Sequence, residues 1–429
     1  MRAQSDSLNR RQFTRLFALG GSAALMSHPA FGAERPASLP ASAPERPTDG
    51  FWHDVRSQFL MPADLAVLNA ANLCPSPVSV LEAMYANTKR LDKDPVPSFR
   101  NEMHDVKEST RKLLAEFLRV TPEEIVITRN TSEANNLVSS GVELKAGDEV
   151  VIFEDNHPSN NMAWKEKAKR FGFSVTQIPQ VNPHPGPEHY LEAAKKAITA
   201  KTKLLALTHL SSTVGDLYPA KELCALARER GVLSLVDGAQ SVGLLDLNLA
   251  EVQPDFYTGS SHKWACGPME TGVLYINARS QSKIWPSIYS AYPGAVGISK
   301  TFEGMGQRDE PAIMAFGEGI KFQQKVGKAN IEARSRELTQ ALLTGLRKIA
   351  GVTIWTSPEP SRTVAVVSFQ PGSLDANALA TALEHDGIVC ATRGGTDRPG
   401  IRFSPHFYNS MNDIEKAVRA VDKYMRSGV

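Results

Sequence analysis

Two short apolar runs in the middle of the chain predict buried strands that end in polar residues. Residues 232–236 (Val-Leu-Ser-Leu-Val) are apolar at nearly every position, which is typical of a strand covered on both faces, and Asp237 follows them. Residues 255–258 predict a second strand, and the sequence Ser-Ser-His-Lys beyond it ends at Lys263. Because the carboxyl ends of parallel strands form the ligand crevice of an open sheet, we expect Asp237 and Lys263 at the mouth of one site.

Strands and helices alternate on both sides of this stretch. The pattern predicts helices at residues 51–61, 106–118, 221–230, 312–346, 375–386 and 411–425, and strands at residues 65–69, 124–128, 149–153, 174–178, 203–207, 364–369 and 388–392. Such an order is typical of an α/β protein. We expect a large domain at residues 51–300, with a mostly parallel sheet between helices. A smaller C-terminal α/β domain, which includes the bridging helix, is expected at residues 301–429.

The N-terminal segment has the features of an export signal. The sequence Asn-Arg-Arg-Gln-Phe-Thr at residues 9–14 precedes a weakly apolar run at residues 16–25. This segment (residues 1–32) resembles a bacterial twin-arginine leader, which implies cleavage after Gly32, passage through the twin-arginine translocation machinery and a periplasmic location. The apolar run is too short and too rich in glycine to span a bilayer. Residues 33–50, rich in Pro, Ala and Ser, are expected to form a linker.

Composition and charge limit the classes of function. A chain of 429 residues, of which 42% are hydrophobic, is long enough to bury a large core. The net charge is +2, without a basic cluster after the leader, so we expect no nucleic-acid partner. No Gly-x-Gly-x-x-Gly follows a predicted strand, which argues against an NAD-dependent enzyme. Since the twin-arginine route exports folded proteins, we expect no disulfide framework among Cys74, Cys224, Cys266 and Cys390.

A sequence signature surrounds the two predicted strand ends. Residues 237–240 (D-G-A-Q) and 260–272 (S-S-H-K-W-A-C-G-P-M-E-T-G) resemble the class V aminotransferase family, in its isopenicillin N epimerase-like and cysteine desulfurase-like branch. The resemblance implies the type I fold of pyridoxal 5′-phosphate (PLP) enzymes, with a seven-stranded type of sheet. PLP needs a lysine for its Schiff base, an acid at its pyridine nitrogen and donors for its phosphate. The resemblance assigns Lys263 to the Schiff base and Asp237 to the pyridine nitrogen.

The same resemblance implies further contacts to the cofactor phosphate and ring oxygen. It places Gln240 at the phenolic oxygen, and Ser260 and His262 at the phosphate. Thr131 and Ser132 open a predicted helix, where short hydroxyls by themselves are typical of simple N-caps. Because T-R-N-T-S-E-A-N-N at residues 128–136 resembles the phosphate loop of the family, we assign both hydroxyls to the phosphate.

A histidine follows the strand predicted at residues 149–153. A single histidine in this position is more often structural than catalytic. The spacing H-x-x-N-x-x-x-W at residues 157–164 is similar to a family segment whose histidine stacks on the pyridine ring. We therefore assign His157 to the ring.

Candidate substrate contacts lie in four separate segments. Arg402 belongs to an R-x-S-x-x-x-Y-N pattern that resembles the carboxylate-binding arginine of the family, and a guanidinium is the natural bidentate partner of a carboxylate. An internal salt bridge is the alternative. Arg393 is a second candidate contact. Ser212 stands where desulfurases carry an asparagine, and Asn72 borders the pocket in the family or simply caps a helix.

The resemblance also implies a homodimer with shared active sites. Relatives place a threonine near position 307 against the phosphate of the neighbouring subunit, and the amide of Gln307 is a donor that replaces this hydroxyl. The segment Gly-Gln-Arg-Asp at residues 306–309 is closest to the epimerase-like branch. The role of Arg308 stays open, with a surface charge as the alternative.

The loop before Arg402 bears on the reaction. Residues 394–400 contain no cysteine, and Cys390 lies in an apolar run, so persulfide chemistry is disfavoured. Chemistry at the amino-bearing carbon is left: transamination is the first expectation, and epimerisation and elimination are alternatives. A non-catalytic PLP-binding module is a further alternative, but such relatives lose the lysine or the acid. Exported relatives of this kind are associated with tailoring of pyoverdine-type siderophores. No metal is expected.

Overall fold

The strands form three sheets in the computed structural model, which describes residues 39–182, 186–394 and 397–429. In chain order they are β1 (Ala66–Val67), β2 (Ile125–Thr128), β3 (Glu149–Phe153), β4 (Ser174–Ile178), β5 (Thr202–Thr208), β6 (Leu233–Asp237), β7 (Phe256–Ser260), β8 (Gly272–Ile276), β9 (Val352–Ile354), β10 (Val367–Pro371), β11 (Ile388–Val389), β12 (Ala391–Arg393) and β13 (Gly400–Phe403). The large sheet has the order β2-β8-β7-β6-β5-β3-β4, in which only β8 runs antiparallel to its neighbours. The predicted mostly parallel α/β fold is confirmed.

Helices cover both faces of the large sheet. The α-helices of the described residues, including those of the smaller domain, are α1 (Asp49–Ser57), α2 (Val78–Lys93), α3 (Pro97–Leu118), α4 (Thr131–Gly141), α5 (Pro158–Phe171), α6 (Pro187–Ala197), α7 (Ala220–Glu229), α8 (Leu249–Val252), α9 (Ser299–Phe302), α10 (Glu310–Val326), α11 (Lys328–Leu346), α12 (Ala376–His385) and α13 (Met411–Ser427). Alternate residues of each strand enter opposite cores: Val236 lies in one and Leu235 in the other. This two-sided burial explains why the strands are almost continuously apolar. Within the described residues, no helix has the length and apolar character that a bilayer span requires.

A smaller set of elements packs around a core of its own. Strands β12, β13, β10 and β9 form an antiparallel sheet, and helices α11 to α13 contribute to its core. Strand β1, from the other end of the chain, pairs in parallel with β11, and Ala66 is fully buried in this smaller core. The domain boundary predicted at residue 300 stays a prediction. The leader lies outside the described residues, and Asn330 donates a hydrogen bond of 2.9 Å to the carbonyl of Pro44 in the predicted linker.

Two of the predicted elements are divided in the structure. The single helix predicted for residues 312–346 is wrong, because α10 ends and α11 begins at Gly327, whose φ of +90° is incompatible with a continuous helix. The strand predicted for residues 388–392 is also wrong as one element. Its first part pairs with β1 and its second part with β13, so Cys390 lies between two strands.

Candidate active site

The carboxyl ends of two neighbouring strands bring the predicted acid and the predicted phosphate ligands together. Strands β6 and β7 run in parallel, with Asp237 opposite Thr258. Ser260 ends β7, and its Oγ lies 2.9 Å from the backbone nitrogen and 2.8 Å from Oγ1 of Thr131 at the start of α4. Thr131 and Ser260 are buried. The N-terminus of a helix and two short hydroxyls thus meet at this edge of the sheet, which is an arrangement suited to an anion.

Asp237 is a buried carboxylate that has no cationic partner within the described residues. Its Oδ1 accepts the backbone N–H of Ala239 at 3.1 Å, and its Oδ2 accepts the side-chain amides of Asn135 at 2.9 Å and Asn160 at 3.4 Å. Asp237 is only 2% exposed. A buried charge that is hydrogen-bonded but not paired requires a counter-charge. One acceptor position of the carboxylate is still available, and a protonated pyridine nitrogen would fill it.

Asn135 and Asn160 are site residues that the sequence analysis did not assign. Each amide is held in turn by a second bond: Thr258 donates to Asn135 at 2.9 Å, and the indole of Trp164 donates to Asn160 at 3.0 Å. The Asn-x-x-x-Trp spacing was available as a signal, since residues four apart lie on one face of a helix.

Lys263 keeps part of its surface accessible, and its side-chain amine makes no hydrogen bond or ion pair with any described residue. Burial lowers the pKa of its amine to about 8, and the negative charge of Asp237 opposes this shift. The positive charge of Arg402 lowers the Lys263 pKa further. Burial also lowers the pKa of His157, followed by the charge of Lys263, with Asp237 opposing and Arg402 adding to the effect. The four side chains therefore share one electrostatic environment.

His157 and His262, the two predicted cofactor histidines, differ in their exposure to solvent. His157 is exposed and caps α5, where its Nδ1 lies 2.7 Å from Oγ of Ser159. His262 is partly buried, and burial lowers the pKa of its ring to about 4, with a smaller effect from Lys263. At neutral pH the imidazole of His262 is thus uncharged and acts as a hydrogen-bond donor through one nitrogen only.

Gln240 connects the site to the N-terminal segment. Its amide donates to the carbonyl of Ala71 at 3.1 Å and accepts the indole N–H of Trp264 at 2.8 Å, and the residue is buried. One N–H of the amide is left for a ligand. Asn72, next to Ala71, is exposed in a turn and precedes no helix, because α2 begins only after Pro77. The helix-cap alternative for Asn72 is therefore wrong.

The C-terminal hairpin contributes the two candidate substrate arginines. Arg402 donates from Nη1 to the carbonyl of Ser212 at 3.0 Å, and its Nε is buried without a partner in the described structure. An internal salt bridge, the alternative for Arg402, is not formed by any described acid. Burial, followed by the charge of Arg393, lowers the pKa of Arg402 to about 10.

Ser132 and Gln307 are exposed, unlike Thr131 and Ser260. Ser132 borders a surface cavity of about 440 Å³ and Gln307 a neighbouring cavity of about 210 Å³, and both cavities are lined by Arg129 and Ile288. Arg308 donates to the carbonyl of Ile127 at 3.3 Å, so it is more than a surface charge. The predicted roles of Ser132 and Gln307 at a phosphate stay predictions.

The donor set of this site fits PLP. An unpaired buried carboxylate faces the same region as an amine that has no protein partner, and hydroxyls at the N-terminus of α4 lie beside them. A buried guanidinium edge on Arg402 provides a place for a carboxylate. Asp237, Lys263, Thr131 and Ser260 would hold the cofactor, which supplies electron withdrawal when bound.

In the cofactor-free protein, we expect Lys263 to react with an amine-specific reagent with a midpoint near pH 8. Only the neutral amine is nucleophilic, and burial brings the pKa from its ordinary 10.5 to about 8. Arg402→Gln should raise this midpoint and Asp237→Asn should lower it, because the two charges act in opposite directions. Mass spectrometry of the labelled peptide across pH measures the midpoint. If neither substitution moves the pH midpoint of labelling, then Lys263 does not share one electrostatic environment with Arg402 and Asp237.

Comparisons with known proteins agree with this geometry. The sequence model of the Aminotransferase class-V family matches residues 70–417. Isopenicillin N epimerase from Amycolatopsis lactamdurans is 30% identical over 394 residues, covering 86% of this chain and 98% of that protein. A probable cysteine desulfurase from Halalkalibacterium halodurans is 29% identical over 384 residues, covering 84% and 93%. A solved structure of a C-DES mutant with glycine covalently linked to its PLP cofactor superposes with a TM-score of 0.79 at 25% identity, covering 86% of this chain and 98% of that chain.

Proposed function

The chain belongs to the class V aminotransferase family and is a PLP-dependent enzyme of the type I fold, and on this premise we propose that it removes a proton from the amino-bearing carbon of an amino acid or amino-acid-containing metabolite. The proton is then returned to the same carbon, as an epimerase does. The observation that carries this proposal is that one site contains both an amine without a bonded partner, at Lys263, and a buried carboxylate without a cationic partner, at Asp237. Epimerisation replaces transamination as the first expectation, since epimerases are among the similar relatives.

The chain's own residues support this assignment. With a pKa near 8, Lys263 can both accept and return a proton close to neutral pH, which is what a general acid–base catalyst requires. Asp237 would keep the ring nitrogen protonated, while Thr131, Ser260 and His262 would hold the phosphate and Gln240 the ring oxygen. We assign His157 to the ring face and Arg402 to the substrate carboxylate. Ser212 and Asn72 would border the substrate.

Persulfide chemistry is less well supported, although desulfurases are among the similar proteins. The loop at residues 394–400 has no cysteine in its sequence. Burial raises the pKa of Cys390 to about 12, so this thiol is protonated and poorly nucleophilic at neutral pH.

We also propose a homodimer, export to the periplasm and a role in siderophore tailoring. Exposed aromatic residues on either side of Ile288 in the sequence support the dimer: Trp285 is 66% exposed, Tyr289 75% and Tyr292 55%. In such a dimer Gln307 would contact the phosphate held by the neighbouring subunit, and Ser132 would contact the phosphate held by its own subunit. Export rests on the resemblance of residues 1–32 to a twin-arginine leader.

Incubation of the holoenzyme with candidate amino acids in deuterated water tests the reaction. An epimerase gives a substrate that is inverted and labelled at the amino-bearing carbon, which chiral chromatography and mass spectrometry detect. Formation of a keto acid together with pyridoxamine phosphate indicates transamination instead. Loss of a side-chain substituent indicates a lyase. Protein that binds PLP but exchanges no proton with any amine would contradict all three.

A further inference from the structure

The β12–β13 hairpin places two arginine side chains on one face. Ala391 pairs directly with Arg402, and Arg393 pairs with Gly400. Directly opposed residues of an antiparallel pair point to the same face, and so do residues two apart on one strand. Arg393 and Arg402 are therefore diagonal neighbours, with Cα atoms about 7–8 Å apart in such pairs. Gly400 lies opposite Arg393 and has no side chain that could cover the guanidinium of Arg393.

Neither arginine has an acidic partner within the described residues. Arg402 uses only Nη1, toward the carbonyl of Ser212, and its Nε is buried without an acceptor. The side chain of Arg393 makes no hydrogen bond or ion pair with any described residue, and its Nε is also buried. A buried polar group without a partner is costly, and more so when it is charged. Each guanidinium thus presents an edge that is suited to an anion.

The nearest acids are hydrogen-bonded to a third arginine. Arg398 donates to Asp155 at 2.5 and 3.1 Å, and to Asp397 at 2.7 Å. Asp397 also accepts a hydrogen bond of 2.7 Å from Gln180. Burial, followed by the charge of Arg398, lowers the pKa of Arg393, and the carboxylates of Asp155 and Asp397 oppose this shift without reversing it. Neither carboxylate is bonded to Arg393, so the guanidinium of Arg393 is left for a ligand.

From this arrangement we infer that the substrate carries a second carboxylate, which Arg393 binds while Arg402 binds the first. The inference rests on the proposed function and narrows its substrate to amino acids with an additional acidic group. A guanidinium binds a carboxylate through two parallel N–H bonds, and in the proposed function the guanidinium of Arg402 binds one carboxylate. The edge of Arg393 then requires a second one.

Binding of simple acids to the holoenzyme tests the inference. Glutarate has two carboxylates, whereas valerate has the same chain length and only one. Isothermal titration calorimetry at constant ionic strength should show glutarate binding on the order of 10- to 100-fold more tightly than valerate, as expected for one more charge-assisted pair. Arg393→Gln should remove this preference, because it should weaken glutarate binding much more than valerate binding. Arg402→Gln should weaken both acids, and Arg419→Gln, on the exposed face of α13, should change neither.

Equal affinities of the wild type for glutarate and valerate would overturn the inference. So would an Arg393→Gln variant that weakens both acids to the same extent, because Arg393 would then serve only the first carboxylate or the fold. Arg393→Lys keeps the charge without the planar edge, and should retain part of the preference. Tighter binding of 4-phosphonobutyrate than of glutarate would assign the edge to a phosphate instead. Failure of the proposed function is distinguishable, since proton exchange in deuterated water is measured separately.

Discussion

The Lys263→Ala variant is expected to lose turnover by roughly 10²- to 10⁴-fold, the usual contribution of a positioned acid–base group. It should also lose its covalent attachment to PLP. Borohydride reduction followed by intact-mass measurement should find the cofactor fixed to the wild type and absent from the variant. Because the Lys263 side chain makes no hydrogen bond or ion pair with described residues, its removal should leave the fold intact.

Lys167→Ala is the matched control for Lys263→Ala. Burial lowers the pKa of Lys167 to about 8 as well, but its amine contacts Ser139 at 2.5 Å and Asn136 at 3.0 Å on the side of α4. This variant should retain both turnover and the reducible cofactor linkage. A Lys263→Ala protein that still carries cofactor covalently after reduction would show that another amine is responsible, and the assignment would fail.

The Asp237→Asn variant is expected to lower kcat by roughly 10- to 10³-fold. Asparagine preserves the shape of the side chain and can still accept the N–H of Ala239. It carries no charge, however, and an opposite charge at contact distance is worth about 1–3 pKa units to its partner. The ring nitrogen would then be largely unprotonated and would withdraw electrons poorly. Turnover together with the pH dependence of the cofactor absorbance measures the effect.

A second buried aspartate provides the contrast. Asp216 accepts hydrogen bonds from Arg362 at 3.0 and 3.1 Å and from Tyr190 at 2.5 Å, and it lies outside the site. Asp216→Asn breaks a buried ion pair, which should reduce the free energy of unfolding by roughly 3–5 kcal/mol. Urea unfolding should show this loss in Asp216→Asn and a much smaller one in Asp237→Asn. Equal loss of stability in both variants would indicate that Asp237 is structural.

The central strands and their polar ends were predictable from the sequence because local physics dictates them. Four apolar residues among the five at positions 232–236 predict β6, and the same strand determines where Asp237 lies. The partners of Asp237 were not predictable in the same way. Asn135 and Asn160 lie on two helices, α4 and α5, and only the packing of these helices across the sheet brings both amides to one carboxylate.

The boundaries of the C-terminal strands and helices could be predicted less well from the sequence. An apolar run over residues 388–392 predicts one strand, but the two halves pair with different partners, one of which lies more than 300 residues away in the sequence. The bridging helix is a similar case. Its periodicity continues through Gly327, and only the backbone conformation of this glycine shows that two helices meet there.

The pairing of β1 with β11 has a consequence for biosynthesis. Ala66 and Val67 emerge from the ribosome more than 300 residues before their partners Ile388 and Val389. Until those partners are made, the earlier segment has an unsatisfied backbone edge and an apolar surface, both of which favour association with other chains. Nascent chains halted before residue 388 should accordingly aggregate or recruit chaperones, while release of the finished polypeptide closes that edge.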